Sequence, residues 1–270
     1  MTTPSPSPID DIAFLARAEH RIPTLIALTV HPRRRSELWE LTGVSSSTIR
    51  RTLREFEERN WIIRNEYQYE VTELGASVAS ACGELLERME TEQKLRSVWE
   101  FLPRQADGFS LDICEGAVVT KADNTEPYRP VNRFLTLLNE TTNFRAVGFE
   151  VAILGACTEE LCERVNAGME TEIIAPPQVA NYVRENCPDL ISESLQTGNL
   201  TIKLHDGLPD FGVCLFDNRI AIRGYDPDGV NLRVLVDSDT GAARSWAESI
   251  YNTYHRETPT IPMEPPEPRS

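Results

Sequence analysis

The chain has 270 residues, and its 42 Asp and Glu against 27 Lys and Arg give a formal charge of −15 at pH 7. At about 150 residues per domain this length predicts two domains, and a hydrophobic content of 40% lets each bury a core, which excludes a wholly disordered chain. No apolar run approaches the roughly 20 residues that cross a bilayer, and no signal-peptide pattern opens the chain. We expect a soluble, cytoplasmic protein with no membrane partner.

The six cysteines form no C-x-x-C pair and have no histidine at zinc-ligand spacing. This scatter predicts neither disulfides nor a bound metal, and the sequence calls for no cofactor. In a chain large enough to form its own cores, cysteines act as small buried hydrophobes in a reducing cytosol. A redox-sensing role for the pair Cys157 and Cys162 stays open.

Only three of the 27 basic residues are lysines, and such a Lys-poor, acid-rich composition indicates a halophilic cell. A strong negative charge opposes nucleic-acid binding, so the position of the positive charge matters. Residues 10–74 contain ten Arg and eleven Asp and Glu, whereas residues 75–270 contain 17 basic and 31 acidic residues. The first quarter of the chain therefore predicts a local basic surface on an acidic protein.

The first predicted helix covers residues 12–27, where apolar residues recur at helical spacing and Pro23 marks a kink or a division. A short helix over 35–42 follows, with Leu38 and Leu41 facing inward. It ends at Gly43, a residue suited to left-handed backbone.

The next helix opens at a run of serines that can cap its free amides, and Ile49, Leu53 and Phe56 form its apolar stripe. After Asn60, two short strands over 61–64 and 67–71 predict a β-hairpin. The order is helix, tight turn, helix and hairpin wing.

The face opposite the apolar stripe is polar and rich in arginine, which suits a DNA major groove. Arginine bonds guanine edges bidentately, while serine and threonine reach phosphates or bases. Arginines of the preceding loop and of the hairpin are placed to contact the phosphate backbone. The predicted DNA-binding residues are Arg33, Arg34, Arg35, Ser45, Ser46, Ser47, Thr48, Arg50, Arg51, Arg54 and Arg64.

The run RSELWELTGVSSSTIRRTLREFEERNWIIRNEYQYEVTELG is similar to the winged helix-turn-helix of archaeal transcription regulators, a haloarchaeal MarR/ArsR-like domain. The resemblance implies a regulator that binds double-stranded promoter DNA.

Other interpretations stay open. One alternative is a plain three-helix bundle, whose arginines would form a solvated face paired with Glu55, Glu57 and Glu58. Another is a winged helix that binds only protein. In molar salt the Debye length is about 3 Å, so phosphate contacts alone would not hold DNA. Base-edge bonds, DNA shape and apolar burial would have to supply affinity, which favours a homodimer.

Residues 72–100 predict one long helix spanning roughly 43 Å. Such a length is explained by packing against a second subunit, although packing on its own carboxy-terminal domain stays an alternative.

From residue 110 onward, strand and helix patterns alternate, which predicts an α/β sheet. Turn residues at 217–218 and 226–229 connect antiparallel strands. Strands are predicted over 117–120, 144–154, 172–175, 200–204, 212–216, 219–224 and 232–236, and helices over 131–138, 158–166, 178–186 and 242–255.

The fold class is thus an α+β winged helix-turn-helix joined by a long helix to an α/β domain. Proline-rich, low-complexity ends predict disordered tails. The organisation is a tail over 1–9, a DNA-binding domain over 10–72, a connecting and dimerisation helix over 73–102, a regulatory domain over 103–257, and a tail over 258–270.

The runs WEFLP, EPYRPVNRF, LHDGLPDFGVCLFDNRIAIRGYDPDG, LRVLVDSD and SWAESIYNTYHRE resemble the regulatory domain of archaeal methanogenesis and filament regulators. The resemblance implies a phospholipase D-like scaffold that has lost catalysis and serves in dimerisation or effector binding. That chemistry needs an H-x-K-x4-D arrangement, and His205-Asp206-Gly207 lacks the lysine. We therefore predict no enzyme and no catalytic residue.

The run 226–231 superficially suggests a calcium loop, but its glycine falls at the fourth position, which favours a hairpin turn. A small-molecule effector, if one binds, is expected at the ends of the central strands. The candidate effector-binding residues are His205, Asp206, Asp217, Arg223 and Asp237. Their alternative roles are structural. Asp217 and Asp237 would end strands, Arg223 would pair with a carboxylate, and His205 would be a satisfied structural group.

Overall fold

The computed structural model describes residues 7–226 and 231–258, and structural statements refer to these residues. The chain divides into two compact units between Met89 and Glu90. No helix in the described residues is both long and apolar enough to cross a membrane.

The amino-terminal unit consists of helices and a small antiparallel sheet in the order β1-β3-β2. Its elements are α1 (Pro8–Ala16), α2 (Arg21–Val30), β1 (Arg33–Arg34), α3 (Arg35–Thr42), α4 (Ser46–Glu58), β2 (Ile62–Asn65) and β3 (Gln68–Val71), followed by α5 (Glu73–Arg96), which contains the division between the units.

The first helix of the prediction is two helices, and the break precedes Pro23. Pro23 lies in the first turn of α2. Backbone N–H groups of the first turn have no acceptor within the helix, so the missing N–H of a proline costs no hydrogen bond there. At the start of α1, the Ser7 hydroxyl accepts a hydrogen bond from the Asp10 amide at 3.3 Å. Pro8 and Ile9 therefore belong to α1 and not to the expected tail.

The core of the amino-terminal unit combines one face of each helix with the start of the hairpin. The predicted stripe on α4 is confirmed, because its three members are at most 1% exposed. On α3, Leu38 is buried, but Leu41 is 49% exposed, contrary to the prediction. Leu41 lies in the last turn of α3, directly before the helix ends at Thr42. The core residues include Leu15, Leu25, Leu28, Leu38, Ile49, Leu53, Phe56, Trp61 and Ile62.

Helix α5 begins against the hairpin. The Thr72 hydroxyl donates to the carbonyl of Asn60 at 2.7 Å and accepts from the Gly75 amide at 3.1 Å. The helix ends at Arg96, short of the predicted residue 100, and a 3₁₀ turn covers Trp99–Phe101.

The division of the chain differs from the boundary expected at residue 103. Leu95 and Val98 are buried in a core of the second unit. The end of α5 and the segment after it therefore belong to that unit.

The carboxy-terminal unit is a seven-stranded mixed sheet, in the order β4-β10-β9-β8-β5-β6-β7, with helices on both faces. Its elements are a 3₁₀ turn (Leu111–Cys114), β4 (Val118–Lys121), α6 (Arg129–Asn139), β5 (Asn143–Val147), α7 (Val151–Asn166), β6 (Glu170–Ala175), α8 (Pro177–Asn186), α9 (Pro188–Gln196), β7 (Leu200–Leu204), β8 (Gly212–Leu215), β9 (Ile220–Tyr225), β10 (Leu232–Ser238) and α10 (Gly241–Glu257).

Strands β5, β6 and β7 are parallel, whereas the other neighbouring pairs are antiparallel. One face of the sheet packs on a core shared with α6 to α9, and the other on a core shared with α10. The predicted alternation of strands and helices is confirmed.

One predicted strand, over 144–154, is divided by Gly148. This glycine has φ of +68°, and the residues from Val151 onward form the first turn of α7. A continuous apolar run does not distinguish a buried strand from a buried helix.

The expected tails fall largely outside the described residues, because 1–6 and 259–270 are not described. Residues 227–230 of the predicted turn and calcium-like run also lie outside them. Thr258, assigned to the second tail, is described and buried, and its amide donates to the Tyr254 carbonyl.

Candidate nucleic-acid interface

Helix α4 is fixed at both ends and presents one polar face. The Ser45 hydroxyl caps its start by accepting from the Thr48 amide at 3.2 Å. Gly43, with φ of +68°, closes α3 as predicted and turns the chain into α4. Because the opposite face is buried, Arg50, Arg51 and Arg54 are held at the surface.

A groove runs between α4 and the hairpin, which we call the arginine groove. Two adjoining cavities of about 770 and 710 Å³ form it, and they share Arg35, Ser46, Arg50, Arg64 and Tyr69. The first cavity adds Arg34, Ser36, Trp39 and Tyr67, and the second adds Ser47, Arg51, Arg54 and Glu57. Glu57 is thus the one acidic residue among those that line it.

Most groove arginines are available to a ligand. Within residues 7–226 and 231–258, Arg34, Arg35, Arg50 and Arg51 have no carboxylate within ion-pair distance. Arg54 makes an exposed pair with Glu58 at 3.5 Å, a contact that contributes little and is easily exchanged. The Arg64 Nε donates to the Glu66 carbonyl at 3.1 Å, which fixes its side chain beside the hairpin turn.

Three of the predicted DNA-binding residues make contacts within the protein. Ser45 and Thr48 bond to each other at the start of α4, with their hydroxyl oxygens 2.8 Å apart. The Nε of Arg33 donates to the Ala27 carbonyl at 3.1 Å, which ties β1 to α2. These contacts support the groove, and none of the three residues lines it.

Other arginines of this unit are part of its core. The guanidinium carbons of Arg21 and Arg59 each lie 3.9 Å from the centroid of the Phe14 ring. Arg21 pairs with Glu55 at 3.2 Å, and Arg59 pairs with Asp11 at 2.9 Å. The positive charge left for a partner is therefore concentrated in the arginine groove.

Sequence reasoning missed the aromatic residues of the groove. Trp39 is 46% exposed on α3, and Tyr67 is 76% exposed in the hairpin turn. Tyr69 is half-buried against the core. No sequence signal separates Trp39 from a core aromatic residue, because the pattern of α3 does not show which of its faces is covered.

The five candidate effector residues do not form one site. His205 and Asp206 follow β7 at the carboxyl end of the parallel strands. Since β8 is antiparallel to β5 and β10 is antiparallel to β9, Asp217 and Asp237 lie toward the opposite edge of the sheet. The expectation that all five converge is wrong, because it was made without the strand order.

Asp217 and Asp237 hold the sheet edge together. Asp217 accepts from the amides of Thr142 and Asn143, at 2.7 and 3.0 Å. Burial raises the pKa of Asp217, but these hydrogen bonds outweigh it and the pKa lies below its ordinary value. The fully buried Asp237 accepts from Arg133 and Arg219 at 2.7 Å each.

Arg223 is fully buried in the core beneath α7. Its Nη2 donates to the carbonyls of Val147 and Gly148, at 3.2 and 3.1 Å, and its Nη1 donates to the Tyr225 hydroxyl at 2.9 Å. It has no carboxylate partner at ion-pair distance in the described residues, contrary to the alternative that the sequence left open.

A polar cluster between the sheet and α10 also escaped prediction. Glu172 of β6 lies 2.5 Å from the Lys203 Nζ and 3.0 Å from the His255 Nε2. Burial raises the pKa of Glu172, but the hydrogen bond and positive charge of Lys203 and the charge of His255 outweigh it, so the pKa lies below its ordinary 4.5. No cluster of three or more ligating side chains in the described residues is arranged to hold a metal ion.

The cysteines are free thiols. Cys157 and Cys162 are both buried on α7, and burial raises the pKa of each thiol. A raised pKa disfavours the thiolate that oxidation requires, so the geometry argues against the redox-sensing role left open above.

Together these features define a two-unit protein in which a helix-turn-helix with an arginine groove precedes a mixed α/β unit. Residues 9–94 match the family model of the HVO_A0261 N-terminal domain. Residues 127–257 match that of the middle domain of the methanogenesis regulatory protein FilR1. Two separate parts of the chain thus match domains of regulators of this kind, in agreement with the resemblance to archaeal methanogenesis and filament regulators.

Several solved structures align with the chain at low sequence identity. TrmBL2, an archaeal chromatin protein, is 13% identical over 93% of this chain and 99% of its own, with a TM-score of 0.43. A phosphatidylserine synthase from Haemophilus influenzae is 14% identical over 53% of this chain and 39% of its own, with a TM-score of 0.39. NucT from Helicobacter pylori is 11% identical over 53% of this chain and 96% of its own, with a TM-score of 0.38. No curated protein matches the sequence.

Proposed function

We propose that the chain is a sequence-specific, DNA-binding transcription regulator whose amino-terminal unit is a winged helix-turn-helix. The arginine groove carries this proposal. Its exposed arginines lie on and beside a capped helix whose opposite face is buried, on a protein whose net charge is −15. A concentration of unpaired positive charge on an acidic chain favours a polyanionic ligand.

The groove residues divide by role. Arg50, Arg51 and Arg54 project from α4 toward base edges in the major groove, with Ser46 and Ser47 beside them at its start. Arg34, Arg35 and Arg64 lie beside the helix and contact phosphates. Ser45, Thr48 and Arg33 support the groove from within the unit.

We further propose that the regulator is a homodimer joined through α5. Leu74, Leu85 and Met89 are 63%, 55% and 44% exposed, and their spacing of eleven and four residues puts them on one face of the helix. Leu86, 41% exposed, borders this stripe. An exposed apolar stripe on a long helix is typical of an interface between two copies.

The carboxy-terminal unit is, in this proposal, a phospholipase D-like scaffold without catalysis that serves in dimerisation or effector sensing. His205 supports the loss of catalysis, since its ring nitrogen accepts from the Gly207 amide at 3.0 Å and the residue two positions later is not lysine. The regulator would act in the cytoplasm of a halophilic cell, where promoter DNA is accessible.

The direct test is binding to duplex DNA by fluorescence anisotropy, using oligonucleotides enriched by the wild-type protein from a random library. An Arg50→Ala, Arg51→Ala double variant is compared with Arg17→Ala, which removes an exposed arginine of the same unit that does not line the groove. We expect binding to weaken strongly in the double variant and to persist in Arg17→Ala. Equal binding by all three proteins would contradict the proposal and favour a protein-binding winged helix.

A further inference from the structure

Two aromatic side chains stand exposed among the groove arginines. Trp39 is 46% exposed and Tyr67 is 76% exposed, and both line the same cavity as Arg34, Arg50 and Arg64. Neither belongs to the hydrophobic core of the unit, unlike Tyr69, which packs against it. Their apolar surface is therefore left to water when no partner is present.

Local structure fixes both side chains at the groove. Trp39 lies one turn after Arg35 on α3, so the two share a face of the helix. Tyr67 lies in the two-residue turn between Asn65 and Gln68, which pair across the hairpin. The turn is held by the bond from Arg64 to the Glu66 carbonyl. The aromatic rings and the arginines therefore meet the same ligand.

The chemistry of the groove selects that ligand. Its exposed arginines favour an anionic ligand, and its exposed aromatic rings favour a ligand with flat or apolar surface next to that charge. Duplex DNA offers both, since phosphates alternate with deoxyribose rings and thymine methyl groups lie at the floor of the major groove.

The salt concentration changes how much phosphate contacts and apolar contacts each contribute to DNA affinity. Binding through phosphates weakens linearly with the logarithm of the salt concentration, because it gains from counterion release. Packing of rings on apolar surface has no such dependence. In molar salt, where the Debye length is about 3 Å, apolar contacts become the larger share of affinity.

We propose that Trp39 and Tyr67 supply the salt-independent part of DNA affinity by packing against deoxyribose rings and thymine methyl groups. This inference rests on the proposed function. These two side chains keep an acidic regulator bound to DNA at salt concentrations that screen the phosphate contacts of its arginines.

The test measures the association constant for a labelled 30-base-pair duplex of mixed sequence from about 0.05 to 0.5 M KCl. The full chain is compared with Trp39→Ala, Tyr67→Ala and Arg64→Ala. For each aromatic variant we expect a line parallel to that of wild type and lower by about fivefold to tenfold at every salt concentration. For Arg64→Ala we expect the slope to become shallower by about 0.9, so that its line approaches wild type in high salt.

Control variants separate contact from folding. Tyr128, 69% exposed in the carboxy-terminal unit, matches Tyr67 in exposure, and Tyr128→Ala should bind like wild type. Trp39→Phe keeps a ring and should recover most of the loss. Thermal unfolding of each variant should match that of wild type, since the replaced rings lie outside the core.

The outcomes are distinct. Unchanged binding by both aromatic variants, with Arg64→Ala impaired, would overturn this inference and leave the proposed function standing. A shallower slope for Trp39→Ala would also overturn it, because the ring would then act by arranging arginines. Absence of duplex binding by the wild-type protein would overturn the proposed function and the inference with it.

Discussion

Arginine has two different tasks in the amino-terminal unit, and burial separates them. Arg21 and Arg59 pack on the Phe14 ring and pair with carboxylates within the unit. Arg50 and Arg51 are exposed and unpaired in the described residues. Counting arginines in the sequence therefore overstates the charge that a ligand meets, and the apolar period of α4 is what identifies the available ones.

At this scale, single substitutions on α4 should act on sequence recognition. If Arg51 or Arg54 bonds a guanine bidentately, its replacement by alanine weakens specific binding by about 1–3 kcal/mol and relaxes the preference at one base pair. The measurement is competition between the selected duplex and single-base variants. Replacement of Arg34, which we assign to phosphate, should weaken all duplexes equally. An unchanged base preference in both Arg51→Ala and Arg54→Ala would refute the assignment of α4 as the recognition helix.

The polar cluster around Glu172 gives the carboxy-terminal unit a dependence on pH. Because the pKa of Glu172 is lowered in the folded chain, its ionised form stabilises the fold above pH 4.5, and this contribution is lost as the pH falls through the folded value. We expect Glu172→Gln to lower the free energy of unfolding by about 1–2 kcal/mol at pH 7, and the difference from wild type to shrink below pH 4.5.

Glu170→Gln is the matched control, since Glu170 is exposed two residues away on the same strand and has one long contact, with Asn143 at 3.3 Å. Denaturant titrations across the pH range provide the measurement. A constant difference between Glu172→Gln and wild type at every pH would show that the carboxylate charge has no such role.

At the scale of elements, close backbone packing decides where α5 begins. A Cβ added to Gly75 would lie 1.9 Å from the Trp61 carbonyl oxygen, whereas one added to Gly83 would meet only the Ile26 side chain, at 3.9 Å. We expect Gly75→Ala to destabilise the amino-terminal unit by about 1–3 kcal/mol, because backbone must move. Gly83→Ala should stabilise it by about 0.5–1 kcal/mol through helix propensity. Thermal unfolding of the two variants checks the opposite signs.

The elements that the sequence predicted correctly are those with local signals. Gly43 and Ser45 mark the end of α3 and the start of α4. Two short strands joined by a turn mark the hairpin. The division at Gly148 was missed because an apolar run on either side fits strand and helix equally. The effector residues were misplaced because the order of seven strands is set by long-range pairing. The groove aromatics required knowledge of which face of α3 is covered.

At the scale of the whole molecule, the exposed stripe on α5 predicts a dimer. Wild-type protein should have about twice the mass of the 30.4 kDa chain in light scattering. Leu85→Gln with Met89→Gln replaces two of the three stripe residues without a change in charge and should give the single-chain mass. Leu111→Gln, at a leucine 41% exposed in the other unit, is the control and should stay dimeric. A wild-type monomer, or a dimer that survives the double substitution, would rule out α5 as the interface.

The central claim is that the arginine groove brings this protein to specific DNA. The most direct measurement is genome-wide crosslinking and immunoprecipitation in the native host, with wild type beside an Arg50→Ala, Arg51→Ala, Arg54→Ala variant expressed at the same level. We predict discrete promoter peaks for wild type and their loss in the variant. Peaks of equal height in both would contradict the claim, because the protein would then reach promoters through a partner.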